Sequence, residues 1–438
     1  MCENIACARK HTALHREQNL EITVRLIAEG THPAVRRGYI LMIIMTAAFG
    51  MALASQQNIV TNYFEDVLKL KGPQFGYITA IREVPGFLLI FITALFYRLS
   101  IPKLTALALL LLAVGYMLFG ASTSFWTVAP WVIISSMGYH TVLQTQYALG
   151  LSLTSENQSG SVLGTMSAVN FGGGLVAMIF VLLTFHYDLI GYRLMFVVGG
   201  VLALVAAIAI VRFPNLRDGQ EVTQRVRREP FVIRRPYRFY YYLSLLDGCR
   251  QQIFFSFGLW VLVNHYGLDV PKISALLIVV NLTAMLSGRR IGRMIDAYGE
   301  KRILGVVNIA YIVALGGYAL VQSIYIAAFC YALYTFISPL STVGAATYLR
   351  KVSASDDVAP SLAMGVTLQH AAAIVVPVTT GFILNFVGYQ IPFLIACVFA
   401  LIAVAVTRRL NPAMQKAPER IAEDEARAAR LEATPAVG

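Results

Sequence analysis

Twelve runs of apolar residues, each long enough to cross a bilayer, fill most of this 438-residue chain, and no other feature restricts its fold so tightly. A hydrocarbon core about 30 Å thick takes roughly 20 apolar residues in helical form. Backbone amides in that core have no water to bond, so each run must close its hydrogen bonds within a helix. The runs begin near Tyr39, Gln74, Lys103, Phe125, Ser161, Ile190, Phe239, Lys272, Ile303, Ile324, Ser361 and Tyr389. Strict apolar/polar alternation is absent, which argues against a membrane barrel. Composition agrees: 57% of residues are hydrophobic and 13% charged, against about 25% charged in soluble domains.

The net charge of +12 would fit a nucleic-acid binder if the basic residues formed a patch, but they are sorted by segment instead. With both termini in the cytosol, 29 of the 35 Lys and Arg fall in inner segments. Four fall in outer loops (Lys69, Lys71, Arg193, Lys272) and two inside helices (Arg82, Arg250). Cytoplasmic loops carry the excess of Lys and Arg, and the opposite topology would invert the partition. The first apolar run is too long for a signal peptide and has no cleavage site, so it reads as a span. Of five cysteines, Cys249, Cys330 and Cys397 lie in apolar runs and Cys2 and Cys7 in the N-terminal tail. That tail pair with His11 and His15 lacks metal-ligand spacing, and no metal or cofactor is expected.

One loop between two runs reads Gly292-Arg-Met-Ile-Asp296-Ala-Tyr-Gly299-Glu-Lys301-Arg302. Gly292 lets two helices approach, Asp296 brings a charge to a helix end, and Gly299 supports a tight reversal. Lys301 and Arg302 hold the loop in the cytosol. The pattern resembles the cytoplasmic loop signature of the major facilitator superfamily, G-x-x-x-D-x-x-G-x-[KR]-[KR]. The resemblance implies an all-α membrane protein with twelve transmembrane helices in two pseudo-symmetric six-helix bundles, and a role for Asp296 in holding one access state. The equivalent stretch of the first half, Ala94 to Lys103, has lost both glycines and the aspartate.

Folding the chain on itself gives the same division. Sliding the second half back by about 198 residues lays Pro271 on Pro73, and Gly164 to Asn170 fall opposite Gly365 to His370 at a similar offset. The expected organisation is a cytoplasmic tail over 1–38, a bundle over 39–212, a basic linker over 213–238, a second bundle over 239–408 and a cytoplasmic tail over 409–438. The last segment is charged and alanine-rich and reads as a partly helical extension without chemistry.

Charged groups at membrane depth cost about 2.5–3.5 kcal/mol each on insertion scales, so they mark cavities or partners. Asp247, Arg250 and Gln251 sit at i, i+3 and i+4 and share one helix face near the midplane. Asp247 is the expected proton-coupling carboxylate, with Arg250 setting its affinity for the proton and Arg82 or Glu83 contributing from the opposite half; the plainer reading is that Asp247 and Arg250 simply neutralise one another. Arg82 and Glu83 precede Pro85 and Gly86, which can bend their helix. His140, Gln144 and Tyr147 form a stripe, joined as candidates by Gln57, Asn170, Tyr331, Tyr334, Gln369 and His370. In the family these helices line or gate the cavity; the plainer reading of the histidines and tyrosines is packing.

No nucleophile elbow, phosphate loop or paired-histidine zinc motif is present, so an enzyme is not expected. The reading is a secondary active transporter, moving a small polar or ionic organic solute by alternating access with the proton gradient as energy source. It is expected to be a monomer in the plasma membrane, or the inner membrane of a Gram-negative source, with no nucleic-acid partner. A drug or metabolite efflux pump of the same fold, a non-transporting receptor or scaffold, and a passive channel are the alternatives. The topology predicts that a cysteine reporter at Lys71 or Asp269 is labelled from outside the cell and one at Arg227 is not; labelling at Arg227 from outside overturns it.

Overall fold

The structure, a computed structural model, describes residues 33–88, 99–153, 159–214, 216–217, 220–221 and 233–432. Among them the chain forms thirteen α-helices. These are α1 (Pro33–Asp66), α2 (Gly72–Phe87), α3 (Ile101–Phe119), α4 (Phe125–Ser152), α5 (Ser159–His186), α6 (Tyr192–Val211) and α7 (Arg238–Asn264). They continue with α8 (Val270–Tyr298), α9 (Glu300–Leu320), α10 (Ile324–Val352), α11 (Val358–Val387), α12 (Gln390–Arg408) and α13 (Pro418–Glu432). Eight contain stretches long and apolar enough to cross a membrane: α1, α3, α5, α6 and α9 to α12. Helix α7 falls outside those eight; it carries Asp247 and Arg250. The first described helix already runs from Pro33, six residues before the apolar run at Tyr39.

By contacts the residues fall into two units: Met1–Ile59, Leu88–Ser122 and Pro130–Arg227 in the first, and Val60–Phe87, Thr123–Ala129 and Arg228–Gly438 in the second. In the first unit α3 packs along α6, with backbones brought close by small residues. A Cβ on Gly115 would stand 2.8 Å from the Ser135 amide nitrogen on α4, and one on Gly200 of α6 would stand 2.8 Å from the Ala113 carbonyl. Close backbone approach of this kind replaces the hydrophobic effect as the packing force where lipid is as apolar as the side chains.

In the second unit α2 lies along α11 on the same principle. A Cβ on Gly76 would run into the Pro377 carbonyl, and one on Gly381 would come within 3.1 Å of Pro73 Cα. Helices α7, α9, α10 and α12 meet around aromatic rings: Phe254 stacks on Tyr334 with centroids 3.7 Å apart and meets Phe393 edge-on at 6.2 Å. Asn62 donates from Nδ2 to the Leu268 carbonyl at 2.9 Å, tying the end of α1 to the turn before α8.

Gly299 alone separates α8 from α9, with φ +78, the left-handed region that L side chains rarely enter. The surroundings of Gly292 and the side chain of Asp296 lie outside what the structure describes, as does the stretch 89–98, which holds half of the first-half copy of the loop. Lys301 and Arg302 are exposed, whereas Glu300, to which no role had been assigned, is buried and accepts Lys351 Nζ at 2.6 Å from the end of α10. The C-terminal extension packs onto the unit: Leu410 and Ala417 are fully buried, and α13 makes an ion pair with the linker end and accepts hydrogen bonds from Ser355 of the α10–α11 turn.

Candidate functional site

Three helices of the second unit aim polar side chains at one point. On α7, the i, i+3, i+4 spacing places Asp247, Arg250 and Gln251 on a common face. On α9, Asn308 and Tyr311 are three residues apart, and on α10, Tyr334 and Ser341 are seven apart, so each pair also shares a face. These faces converge on Arg250, which is 1% exposed.

The guanidinium is met on every side. Its Nη2 pairs with Asp247 Oδ1, Nη1 donates to Asn308 Oδ1 at 3.0 Å, and Nε donates to the Tyr334 hydroxyl at 3.2 Å. Its carbon lies 3.5 Å from the centroid of the Tyr311 ring. The asparagine is itself oriented, since Asn308 Nδ2 donates to the Leu304 carbonyl at 2.8 Å. Asp247 accepts further bonds from Ser341 Oγ at 3.0 Å and from Gln251 Nε2 at 2.6 Å. Desolvating two ions costs several kcal/mol each, and only complete hydrogen bonding of both offsets it. Arginine suits the place because its planar fork offers several fixed donors and a face for an aromatic ring.

Asp247 also borders a cavity of about 30 Å³ with Tyr240, Ser244, Ser341, Thr342 and Gln369. That volume holds one or two water molecules. The cavity lies among α7, α9, α10 and α11, so the carboxylate faces it on one side and Arg250 on the other.

A second constellation forms where α2 meets α11. Glu83 is 9% exposed, and its Oε1 receives Arg82 Nε at 3.2 Å while its Oε2 lies 3.3 Å from His370 Nδ1. Adjacent residues cannot share a helix face, but the long arginine side chain turns back to reach its neighbour. Arg82 keeps 52% of its side chain exposed and His370 keeps 22%. This pair therefore borders accessible space, unlike the sealed Arg250. Gly248 packs its backbone against Gln369 Cα, next to His370, so α7 and α11 carry the two constellations past each other at close range.

Of the remaining candidates, His140, Gln144, Tyr147, Gln57 and Asn170 lie in the first unit and Tyr331 and Tyr334 in the second. His140 is buried, with its ring edge-on to Tyr139 at 5.0 Å, whereas Gln144 and Tyr147 of the same stripe are exposed, as is Gln57. Asn170 is half-buried, and its carbonyl lies where a Cβ on Gly50 would fall. Tyr331 and Tyr334 are buried against Phe254. Sequence reasoning missed Asn308, Tyr311 and Ser341. A lone asparagine within the apolar run of α9 was the available signal for the first. Among the described residues no group of three or more His, Cys, Asp or Glu is placed to hold a metal; Cys2, Cys7, His11 and His15 lie outside them.

The network predicts that Arg250→Met alone destabilises the folded protein by about 3–5 kcal/mol, because it leaves Asp247 buried and uncompensated. Adding Asp247→Asn should restore most of that loss, measured as thermal unfolding of the purified protein in detergent. Equal stability of the single variant and the wild type contradicts it.

The chain matches the family model described as Major Facilitator Superfamily over residues 38–291 and 243–436. Among solved structures it is similar to a mutant of the nucleoside transporter NupG, with a TM-score of 0.70 and 14% identity over 85% of this chain and 99% of that one. It is similar to a bacterial homolog of the human lysosomal transporter Spinster in an inward-facing, occupied conformation, with a TM-score of 0.67 and 12% identity over 86% and 97% of the two chains. It is also similar to the human organic anion transporter MFSD10, with a TM-score of 0.57 and 11% identity over 86% and 100%. No curated protein matches the chain in sequence.

Proposed function

The chain belongs to the major facilitator superfamily, and from that premise we propose a secondary transporter that moves a small polar or ionic organic solute by alternating access, driven by the proton gradient. In this reading both termini and the 213–238 linker face the cytosol, and the protein works as a monomer in the plasma membrane, or the inner membrane of a Gram-negative source. The partition of basic residues supports the orientation.

The observation that carries proton coupling is the contact of Glu83 with His370 across the packed pair α2 and α11. A carboxylate and an imidazole in contact can bind one proton jointly and release it, and histidine is the side chain whose charge ordinarily changes near neutral pH. The pair borders accessible space, and half-exposed Arg82 holds the other carboxylate oxygen. Asp247, the first choice on sequence, is less suited. A proton on its Oδ2 would displace the Gln251 bond and one on Oδ1 those of Arg250 and Ser341, and either would leave the arginine charged and buried without a counter-ion. Asp247 and Arg250 then act as the fixed polar wall of the site, with Gln251, Gln369 and Tyr334 as neighbours. Gln57, His140, Gln144 and Asn170 are the corresponding substrate candidates in the first half, and Gly292, Asp296, Gly299, Lys301 and Arg302 act as the conformational loop. The mixed charges favour a polar or ionic solute over a neutral lipid.

In proteoliposomes screened with a panel of labelled nucleosides, sugars and organic anions, an imposed pH gradient should drive uptake of the true substrate. Glu83→Gln should abolish the dependence on the gradient while exchange of solute across the membrane persists. Gradient-driven uptake that survives in Glu83→Gln but is lost in a stably folded Asp247→Asn places coupling at Asp247 instead.

A further inference from the structure

The residues after α12 form a second attachment within the C-terminal unit, at the end opposite the α9–α10 turn. Leu410 and Ala417 are fully buried beside Tyr237, Tyr348 and Val352. The Ala417 amide donates to the Val352 carbonyl at 2.8 Å, and the Tyr348 hydroxyl donates to Gln415 Oε1 at 2.8 Å. Leu410 and Ala417 thus plug the two ends of this stretch into the core of the unit, while Asn411, Ala413 and Met414 between them are exposed. From this plug α13 leads back over the turn between α10 and α11.

Three chain segments meet there through charge. Arg234, at the end of the linker, pairs through Nε with Asp357 at 2.9 Å and through Nη1 with Glu419 at 2.7 Å. Tyr237, buried at the start of α7, donates to Asp357 Oδ2 at 2.7 Å and accepts the Ala354 amide at 3.3 Å. Glu423 of α13 accepts both the amide and the hydroxyl of Ser355, at 3.0 and 2.8 Å. Asp357 immediately precedes α11 and Val352 ends α10, so one cluster fastens the ends of α7, α10 and α11. Those are the helices that carry Asp247 and Arg250, Tyr334 and Ser341, and Gln369 and His370. Tyr237 lies ten residues before Asp247, about 15 Å along the helix.

We propose that α13 is a releasable brace: docked, it holds the starts of α7 and α11 to the end of α10 and keeps the Asp247 face in place, and released, it lets those helix ends part. The inference does not rest on the identity of the solute or on proton coupling. Release is within reach because the contacts on α13 are exposed. Arg234 keeps 44% of its side chain exposed and Glu419 keeps 53%, and such pairs are weak singly and screened by salt.

Protons are poor agents of release. Bonds from the Ser355 amide and then its hydroxyl hold the Glu423 carboxyl below its ordinary range, so its contribution is present above that range and fades as pH falls through it. Burial, followed by the bond to Asp357, pushes the Tyr237 hydroxyl up to about 12, so its contribution holds below its ordinary value and is lost only as pH rises through about 12. Arg234, raised first by Asp357, stays charged throughout, and the neighbouring pairs Lys416–Asp424, Arg420–Glu423 and Lys351–Glu300 join a lysine or arginine to a carboxylate. Salt, a competing polyanion on the linker arginines, or negative charge placed on Ser355 are the effective agents.

The full-length protein in lipid nanodiscs provides the test, with two variants: Glu419→Gln with Glu423→Gln, and a chain ending after Ala417, which keeps the buried plug. Hydrogen exchange is read over the start of α7 and the α10–α11 turn, and Cys249, a free and half-buried thiol two residues from Asp247, reports the site through its rate of reaction with N-ethylmaleimide. Both rates should rise about tenfold in each variant and in the wild type at high salt, with α3 and α6 unchanged. Unchanged exchange in the two segments, or an unchanged Cys249 rate, overturns the proposal. Neither readout needs substrate or a gradient, so the result stands apart from the transport assay.

Discussion

A guanidinium without water must find all of its hydrogen-bond acceptors inside the protein, and the C-terminal unit is arranged around that requirement at Arg250. Its three nitrogens engage α7, α9 and α10 at once, and Tyr311 covers its face. The aromatic stack beside it serves the same demand, because Tyr334, whose hydroxyl accepts from Nε, lies with its ring flat against Phe254. Losing one acceptor would leave a buried polar group exposed to the low dielectric, so the partners stand or fall as a set.

Fixed polarity in one place leaves exchangeable polarity to another. Glu83 and His370 sit on helices packed backbone to backbone at Gly76 and Gly381, and His370 keeps 22% of its side chain exposed, so the pair proposed to carry the proton borders accessible space. Proton-coupled transport as proposed uses both kinds of group: a wall that keeps its shape and a pair whose charge follows the side to which it opens. The polar cluster under α13 has a third character, with exposed and screened pairs that hold helix ends around one buried carboxylate, Asp357.

Much of this was legible in the chain. Twelve apolar runs and the 29-to-4 partition of basic residues gave the membrane class and its expected orientation, and the loop ending Gly299-Glu-Lys301-Arg302 gave the family. The face shared by Asp247, Arg250 and Gln251 followed from helical spacing alone. What closes on that face did not, because Asn308, Tyr311 and Ser341 arrive from positions 58 to 94 residues away, and periodicity within one helix carries no information about its neighbour. The same limit hid the pairing of Glu83 with His370, whose separation in sequence is 287 residues. Glu300 and Glu423 were passed over because an acidic residue in a charged segment reads as solvated, and only the fold brings Lys351 and Ser355 onto them.

The division of labour between the two constellations can be observed directly by counting the proton taken up. Infrared difference spectra of the reconstituted protein, stepped between about pH 8 and about pH 5 across the range in which histidine titrates, report carboxyl and imidazole protonation without any substrate. The account predicts a signal that is lost in Glu83→Gln and in His370→Gln and kept when Asp247→Asn and Arg250→Met are combined. A signal that survives both single changes and vanishes with the combined one would contradict it.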